Sequence, residues 1–239
     1  MGIMQGQLDT KLNPAGVEQA QLTANALERV PLKAAYSSDL SRAVKTAEII
    51  LSKHPSVRLE KYAELRERYM GDLQGFRIVD YNGIPTNVET PNAFSTRAIQ
   101  WWNRIIQRHV TSLPLQSPSD PDRPSTNILV TTHGGLIGVL VQTLLGSRKV
   151  RCAHGVQVGK CMNASITVVD VEKDGKGTLV SFADTTHLAF DLVDVNADVL
   201  DDDEIHESDQ QGGEDKYGEV RTSVTTSGIP DLVGAVTPV

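Results

Sequence analysis

A histidine followed by two glycines, His133-Gly134-Gly135, closes one apolar run that begins at Asn127 and opens a second that ends at Gly146. Near-continuous apolar residues of this kind read as a buried parallel strand, and the glycines read as a tight turn into a helix. An imidazole at that junction stands where backbone N–H groups and the helix dipole favour an anion. The chemistry it could do is phosphate handling. An ordinary strand-to-helix junction with a hydrogen-bonded histidine gives the same string, since a glycine turn alone is a weak signal. The elements around His133 have to decide between the two.

Those elements alternate. Pro14 to Val30 carries Val17, Ala20, Ala24 and Leu27 at helical spacing, with Asn13-Pro14 in the place of a cap and first helical residue. Lys33 to Ser37 is expected to be a strand, and Ser38-Asp39 can cap a helix from Leu40 to Lys53. Val57 to Leu59 is a short strand candidate, Tyr62 to Gly75 is loop-rich, and residues 76 to 92 form an excursion marked by Asn82-Gly83, Pro85 and Pro91. A helix over Asn92 to Leu113 follows from the 3.6-residue period of Phe94, Ala98, Trp101, Ile105 and Val110, with the tryptophans as core anchors. Pro114 to Ser125 is a proline-rich loop. Beyond Gly146, Arg148, Lys149 and Arg151 either close the helix or line a pocket. Asn163 to Val171 and Thr178 to Phe182 pair as a hairpin across Asp174-Gly175-Lys176-Gly177.

The 239 residues, 39% hydrophobic and 22% charged, have the composition of a globular protein. The net charge of -7 is uneven: Asp198 to Asp215 holds nine acidic side chains and no Lys or Arg. That balance argues against nucleic-acid binding, which needs clustered cations. Residues 1–192 are expected to form one domain, and 193–239 an acidic, disordered tail. Cys152 and Cys161 have neither disulfide-framework nor metal-site spacing. No apolar run spans a membrane and no secretory leader opens the chain, so a cytoplasmic protein is expected, with the nucleus as the other option.

Four segments in order, MQGQLDTKLNPAGVEQA (4–20), YSSDLSRAVKTAEII (36–50), ELRERYMGDLQG (64–75) and TTHGG (131–135), resemble the histidine phosphatase superfamily, phosphoglycerate mutase-like branch. The resemblance covers about residues 1 to 190. It implies an α/β fold, a three-layer α/β/α sandwich around a mostly parallel sheet, and phosphoryl transfer through a phosphohistidine on a small phosphorylated metabolite. Such a reaction needs a nucleophile, cations on the phosphoryl oxygens and an acid for the leaving alkoxide. By the resemblance Arg42 clasps the phosphate, His133 donates to the phosphoryl oxygens and Glu67 is the acid. Glu64 competes with Glu67, which is preferred for its spacing to Gly71, and the role requires conditions that keep it protonated. Gln5 and Gly6 match the loop that flanks substrate, and Asn163 and Ser165 lie where relatives place polar pocket residues. His187 is either structural or close to the pocket. No metal or other cofactor is expected, because arginines and histidines supply the charge.

The sequence departs from the family pattern at its start. The family begins with an apolar strand leading into Arg-His-Gly, whose histidine becomes phosphorylated, and this chain starts after that point. His54, His109, His154, His187 and His206 do not match its place. The expectation is therefore a truncated form of an enzyme lacking its nucleophile and first strand, with backbone groups of neighbouring strands left unpaired. A phosphate-binding or interaction protein without turnover is the alternative, and a phosphoglycerate mutase-type isomerase is a further one.

Overall fold

A computed structural model describes residues 3–77, 85, 87–110, 126–188, 192–193 and 235–238. Helix α1 (Pro14–Leu27) starts as its sequence requires: Asn13 Oδ1 accepts the Gly16 N–H at 2.9 Å, and proline occupies the first turn, where no donor is lost. There follow β1 (Leu32–Ser38), α2 (Ser41–Leu51), β2 (Leu59–Tyr62), α3 (Pro91–Val110), β3 (Asn127–Thr131), α4 (Gly134–Gly146), β4 (Val150–Cys152), β5 (Ile166–Val171), β6 (Gly177–Asp184) and β7 (Ala235–Pro238). Two single 3-10 turns, Ala63–Leu65 and Gly71–Leu73, interrupt the loop after β2.

The strands form one sheet in the order β2-β1-β3-β7-β5-β6-β4. The pairs β1–β2, β1–β3, β5–β7 and β4–β6 are parallel; β3–β7 and β5–β6 are antiparallel. Alternation along the central strands sends side chains to two separate cores. Ala35 and Leu129 meet Ala24 and Leu27 of α1 and Ile50 of α2 on one face. Tyr36, Ile128 and Val130 meet Trp101 and Ile105 of α3 and Leu136, Val141 and Leu144 of α4 on the other. The result is the expected three-layer α/β/α arrangement, and both tryptophans are core anchors. Burying each of these large side chains is worth about 1.5–3 kcal/mol.

Three details differ from the sequence expectations. Ser38-Asp39 does not cap α2: its cap residue is Leu40, without a side-chain cap bond, and Asp9 from the N-terminal loop accepts the Ser41 N–H at 2.6 Å and the Ser41 hydroxyl at 2.9 Å. The basic stretch after α4 enters a strand, β4, whose parallel pairing with β6 no three-residue pattern could announce. The third is β7, drawn from the segment expected to be disordered. It lies between β3 and β5, so the backbone groups expected to be left unpaired beside β3 are paired by residues 235–238. Four residues are too few to show a period, so no local pattern marks this strand. The Pro114 to Ser125 loop, most of the 76–92 excursion and the acidic stretch from Asp198 to Asp215 lie outside the described residues. Among the described residues no helix is long and apolar enough to cross a membrane.

Candidate functional site

Parallel neighbours end together, so the carboxyl ends of β1 and β3, Ser38 and Thr131, finish at one edge of the sheet, where open α/β folds bind ligands. His133 follows β3 as the N-cap residue of α4 and is 0% exposed. Its Nε2 lies 2.9 Å from Ser38 Oγ, which also accepts the Leu40 N–H at 3.3 Å. Ser38 is fully buried, and donating to His133 Nε2 satisfies its hydroxyl hydrogen; this accounting puts the imidazole proton on Nδ1. Nδ1 is buried and has no hydrogen-bond partner among the described residues. Burial, then the positive charges of Arg42 and Arg97, push His133 well below the usual histidine range, so the ring is neutral near pH 7.

Arg42, in the first turn of α2, is also 0% exposed. Its Nη1 donates to Leu8 O at 2.7 Å and to Thr10 Oγ1 at 3.5 Å, and its Nη2 donates to Gly6 O at 2.9 Å. Thr10 in turn donates to Gln5 Oε1 at 3.5 Å. Gln5 and Gly6 are thus gathered around Arg42. Gly6 has φ +53°, and a Cβ there would press on the Gln74 and Met70 side chains, so glycine is required by both conformation and space. The same loop is tied to the following one through Met4 N–H to Phe76 O at 2.9 Å and Gly75 N–H to Met4 O at 2.8 Å.

Glu67 turns inward while Glu64 turns outward. The Glu64 carboxylate accepts from Arg104 at 2.8 Å on the surface. Glu67, 6% exposed, reaches the start of α4, where its Oε2 accepts the Gly135 N–H at 2.8 Å and its Oε1 accepts the Arg68 N–H at 2.6 Å. A Cβ on residue 135 would collide with that carboxylate. The negative charge of Glu67 adds to burial in pushing the Cys161 thiol up to about 12. The main-chain oxygen of Glu67 is fixed from two sides, by Gln7 Nε2 at 3.0 Å and Arg97 Nη2 at 3.1 Å.

Arg97 and Ser38 are the residues that sequence reasoning missed in these roles. Arg97 projects from α3, donates to Glu64 O at 2.9 Å and Arg66 O at 2.7 Å as well as to Glu67 O, and is paired with Glu89 at 2.8 Å. It therefore holds the whole loop that presents Glu67. Its position on a polar stretch of α3 carried no sign of which loop it would face. Ser38 was visible in its motif, but as a cap.

Asn163 and Ser165, 3% and 0% exposed, precede β5, which starts at the same sheet edge: Thr167 and Val130 flank Ala235 of β7 from opposite sides. Ser165 Oγ is buried with no hydrogen-bond partner among the described residues. His187 braces this loop, with Nε2 3.0 Å from Ala164 O and 3.1 Å from Thr23 Oγ1, and burial lowers its pKa. His109 lies against the Tyr36 hydroxyl at 2.7 Å, and His54 follows α2. The structure thus gathers Gln5, Gly6, Arg42, Glu67 and His133 around the ends of β1 and β3, with Asn163 and Ser165 across β7.

Comparison with known proteins gives the family. The family described as the histidine phosphatase superfamily, branch 1, matches residues 1–185. Phosphoglycerate mutase-like protein 4 of Arabidopsis thaliana is 32% identical over 194 residues, covering 77% of this chain and 79% of the relative. The metal-independent phosphoserine phosphatase of the same plant is 28% identical over 207 residues, covering 79% and 77% respectively. The solved structure of Bacillus stearothermophilus YhfR shares the fold, with a TM-score of 0.60 over 78% of this chain and 91% of that chain at 22% identity. With its family matched over most of its length and its strand-ending histidine buried at the expected edge, this chain belongs to the histidine phosphatase superfamily, branch 1.

Proposed function

We propose that this site serves phosphatase-type phosphoryl transfer on a small phosphorylated metabolite, with His133, Arg42 and Glu67 as its reacting and stabilising groups. The observation that carries the reading is His133: a neutral, fully buried imidazole whose Nδ1 has no hydrogen-bond partner among the described residues, set at the amino end of α4. A donor left unpaired in a buried site is costly, about 1–3 kcal/mol, unless a ligand oxygen takes it. A phosphoryl oxygen is the acceptor that such an N–H and a helix amino end favour together. Arg42 contributes positive charge and holds the Gln5-Gly6 loop against the site, while Asn163 and Ser165 supply polar atoms for the remainder of the substrate.

In the reaction so assigned, a histidine nucleophile takes the phosphoryl group as the ester bond breaks. Glu67 gives its proton to the departing alkoxide, and water then releases phosphate from the phosphohistidine. Among the described residues the histidines that could compete for the nucleophile's role are engaged elsewhere: His109 is bonded to Tyr36, and His187 to Ala164 and Thr23. That observation favours a second reading, a phosphate-binding protein without turnover. One preparation separates the two. Hydrolysis of a generic aryl phosphate that disappears in His133→Ala supports the enzyme; phosphate or vanadate binding without hydrolysis supports the binding protein. Neither turnover nor binding in a folded preparation rejects both.

A further inference from the structure

The start of α4 already holds an anion, and that anion belongs to the protein. The Glu67 carboxylate sits on the Gly135 N–H at 2.8 Å and the Arg68 N–H at 2.6 Å, and the missing side chain of Gly135 makes the room for it. One of its oxygens takes the Gly135 N–H at the amino end of α4, the place a phosphate oxygen would adopt, and the other is held by the Arg68 N–H of its own loop. At the same helix end stands the fully buried Nδ1 of His133, without a hydrogen-bond partner among the described residues, an independent mark that a further acceptor is to be bound here. A phosphate using both His133 Nδ1 and the α4 amino end would bring a second negative charge against the Glu67 carboxylate in a buried setting, where like charges repel strongly.

The way Glu67 is held fits a side chain that moves on a fixed base. Its main-chain oxygen is clamped by Gln7 and Arg97, and Arg97 also ties Glu64 and Arg66, so the backbone of the loop stays in place when the carboxylate leaves its amides. We infer that Glu67 is a built-in competitor for the substrate phosphate: its carboxylate occupies the Gly135 N–H at the amino end of α4 in the free protein and gives it up when phosphate binds. This rests on the proposed phosphate site. It adds that the residue assigned as acid is seated as a carboxylate in the phosphate's own place until substrate displaces it, and that the freed carboxylate takes up a proton from solvent beside the incoming negative charge before it serves as the acid. Competition of this kind disfavours weakly charged ligands and selects dianionic phosphate monoesters, which have enough charge to take the amides over.

The test uses inorganic phosphate and the full chain, and it needs no turnover. Glu67→Gln removes the charge and keeps the side-chain size, so phosphate should bind roughly tenfold tighter or more, in line with the cost of juxtaposed like charges. Equal or weaker binding overturns the competitor while leaving the phosphate site intact. If Glu67→Gln proves poorly folded, the wild-type protein answers by amide NMR during phosphate titration. The Arg68 N–H is not on α4 and donates to Glu67 Oε1, so its resonance must move together with that of Gly135 if the carboxylate leaves. A Gly135 shift with an unmoved Arg68 overturns the inference. Phosphate binding by neither protein overturns the site itself, and the inference with it.

Discussion

Two helices of this protein start on a carboxylate borrowed from a distant loop. At α2, Asp9 takes the Ser41 N–H and hydroxyl at an exposed position; at α4, Glu67 takes the Gly135 N–H at a position 6% exposed. The bonding is alike and the surroundings are opposite. Water competes for Asp9 and screens its charge, so the contact is a helix cap that fastens the N-terminal loop. Glu67 is shielded, beside a buried neutral imidazole, and its charge is felt as far as Cys161. In the function proposed above, the same helix-end device serves architecture where it is wet and chemistry where it is dry.

Arg42 is tied to both ends, next to Ser41 in sequence, bonded to the loop that supplies Asp9 and acting by its charge on His133, so removing it is the strongest way to break the comparison. Arg42→Met strips the donors from the carbonyls of Gly6 and Leu8 in a buried setting. It should lower unfolding free energy by about 3 kcal/mol or more, read from urea denaturation; a change within about 0.5 kcal/mol would show that the loop does not depend on it.

Gly135→Ala sharpens the contrast at the buried end alone. The new methyl group collides with the Glu67 carboxylate, and a loss of about 1–3 kcal/mol in the same measurement is expected. The matching position at the exposed end, Ser41, already carries a side chain, and that side chain takes part in the bonding.

Acid distinguishes the two ends next. The folded His133 titrates below its ordinary value of 6.5, chiefly through burial. The unfolded chain then binds the proton first, so this contribution to stability is whole above pH 6.5 and is lost as pH falls below it, at up to about 1.4 kcal/mol per pH unit. The urea midpoint should drop between pH 7 and pH 5, and His133→Asn should flatten the drop. An equal slope in the variant would assign the effect to His109 and His187, whose pKa values burial also lowers.

The smallest effect belongs to the exposed cap. Asp9→Ala should reduce stability by about 0.5–1 kcal/mol and leave phosphate affinity unchanged. A marked loss of phosphate affinity would mean that the exposed cradle also takes part in binding.

Much of this was legible along the chain, because it depends on near neighbours. The 3.6-residue period placed α1, α2 and α3 to within a few residues, the apolar run before Thr131 gave β3, and the glycines after His133 gave the start of α4, since each of these signals is local backbone and burial physics. Motif order brought Arg42, Glu67 and His133 together before any coordinate did. The spacing to Gly71 favoured Glu67 over Glu64, but what turns one carboxylate inward and the other outward is the packing of Gly135 and Arg104, which the spacing does not contain. Nor could the sequence show that Asp9 rather than Ser38 would cap α2, that Ser38 would orient His133, that Arg97 would hold the Glu67 loop, or that residues 235–238 would enter the sheet between β3 and β5. Each of these is a contact between residues 20 or more positions apart, set by how the layers stack and by the need to pair every buried donor and acceptor, and no local pattern encodes that pairing.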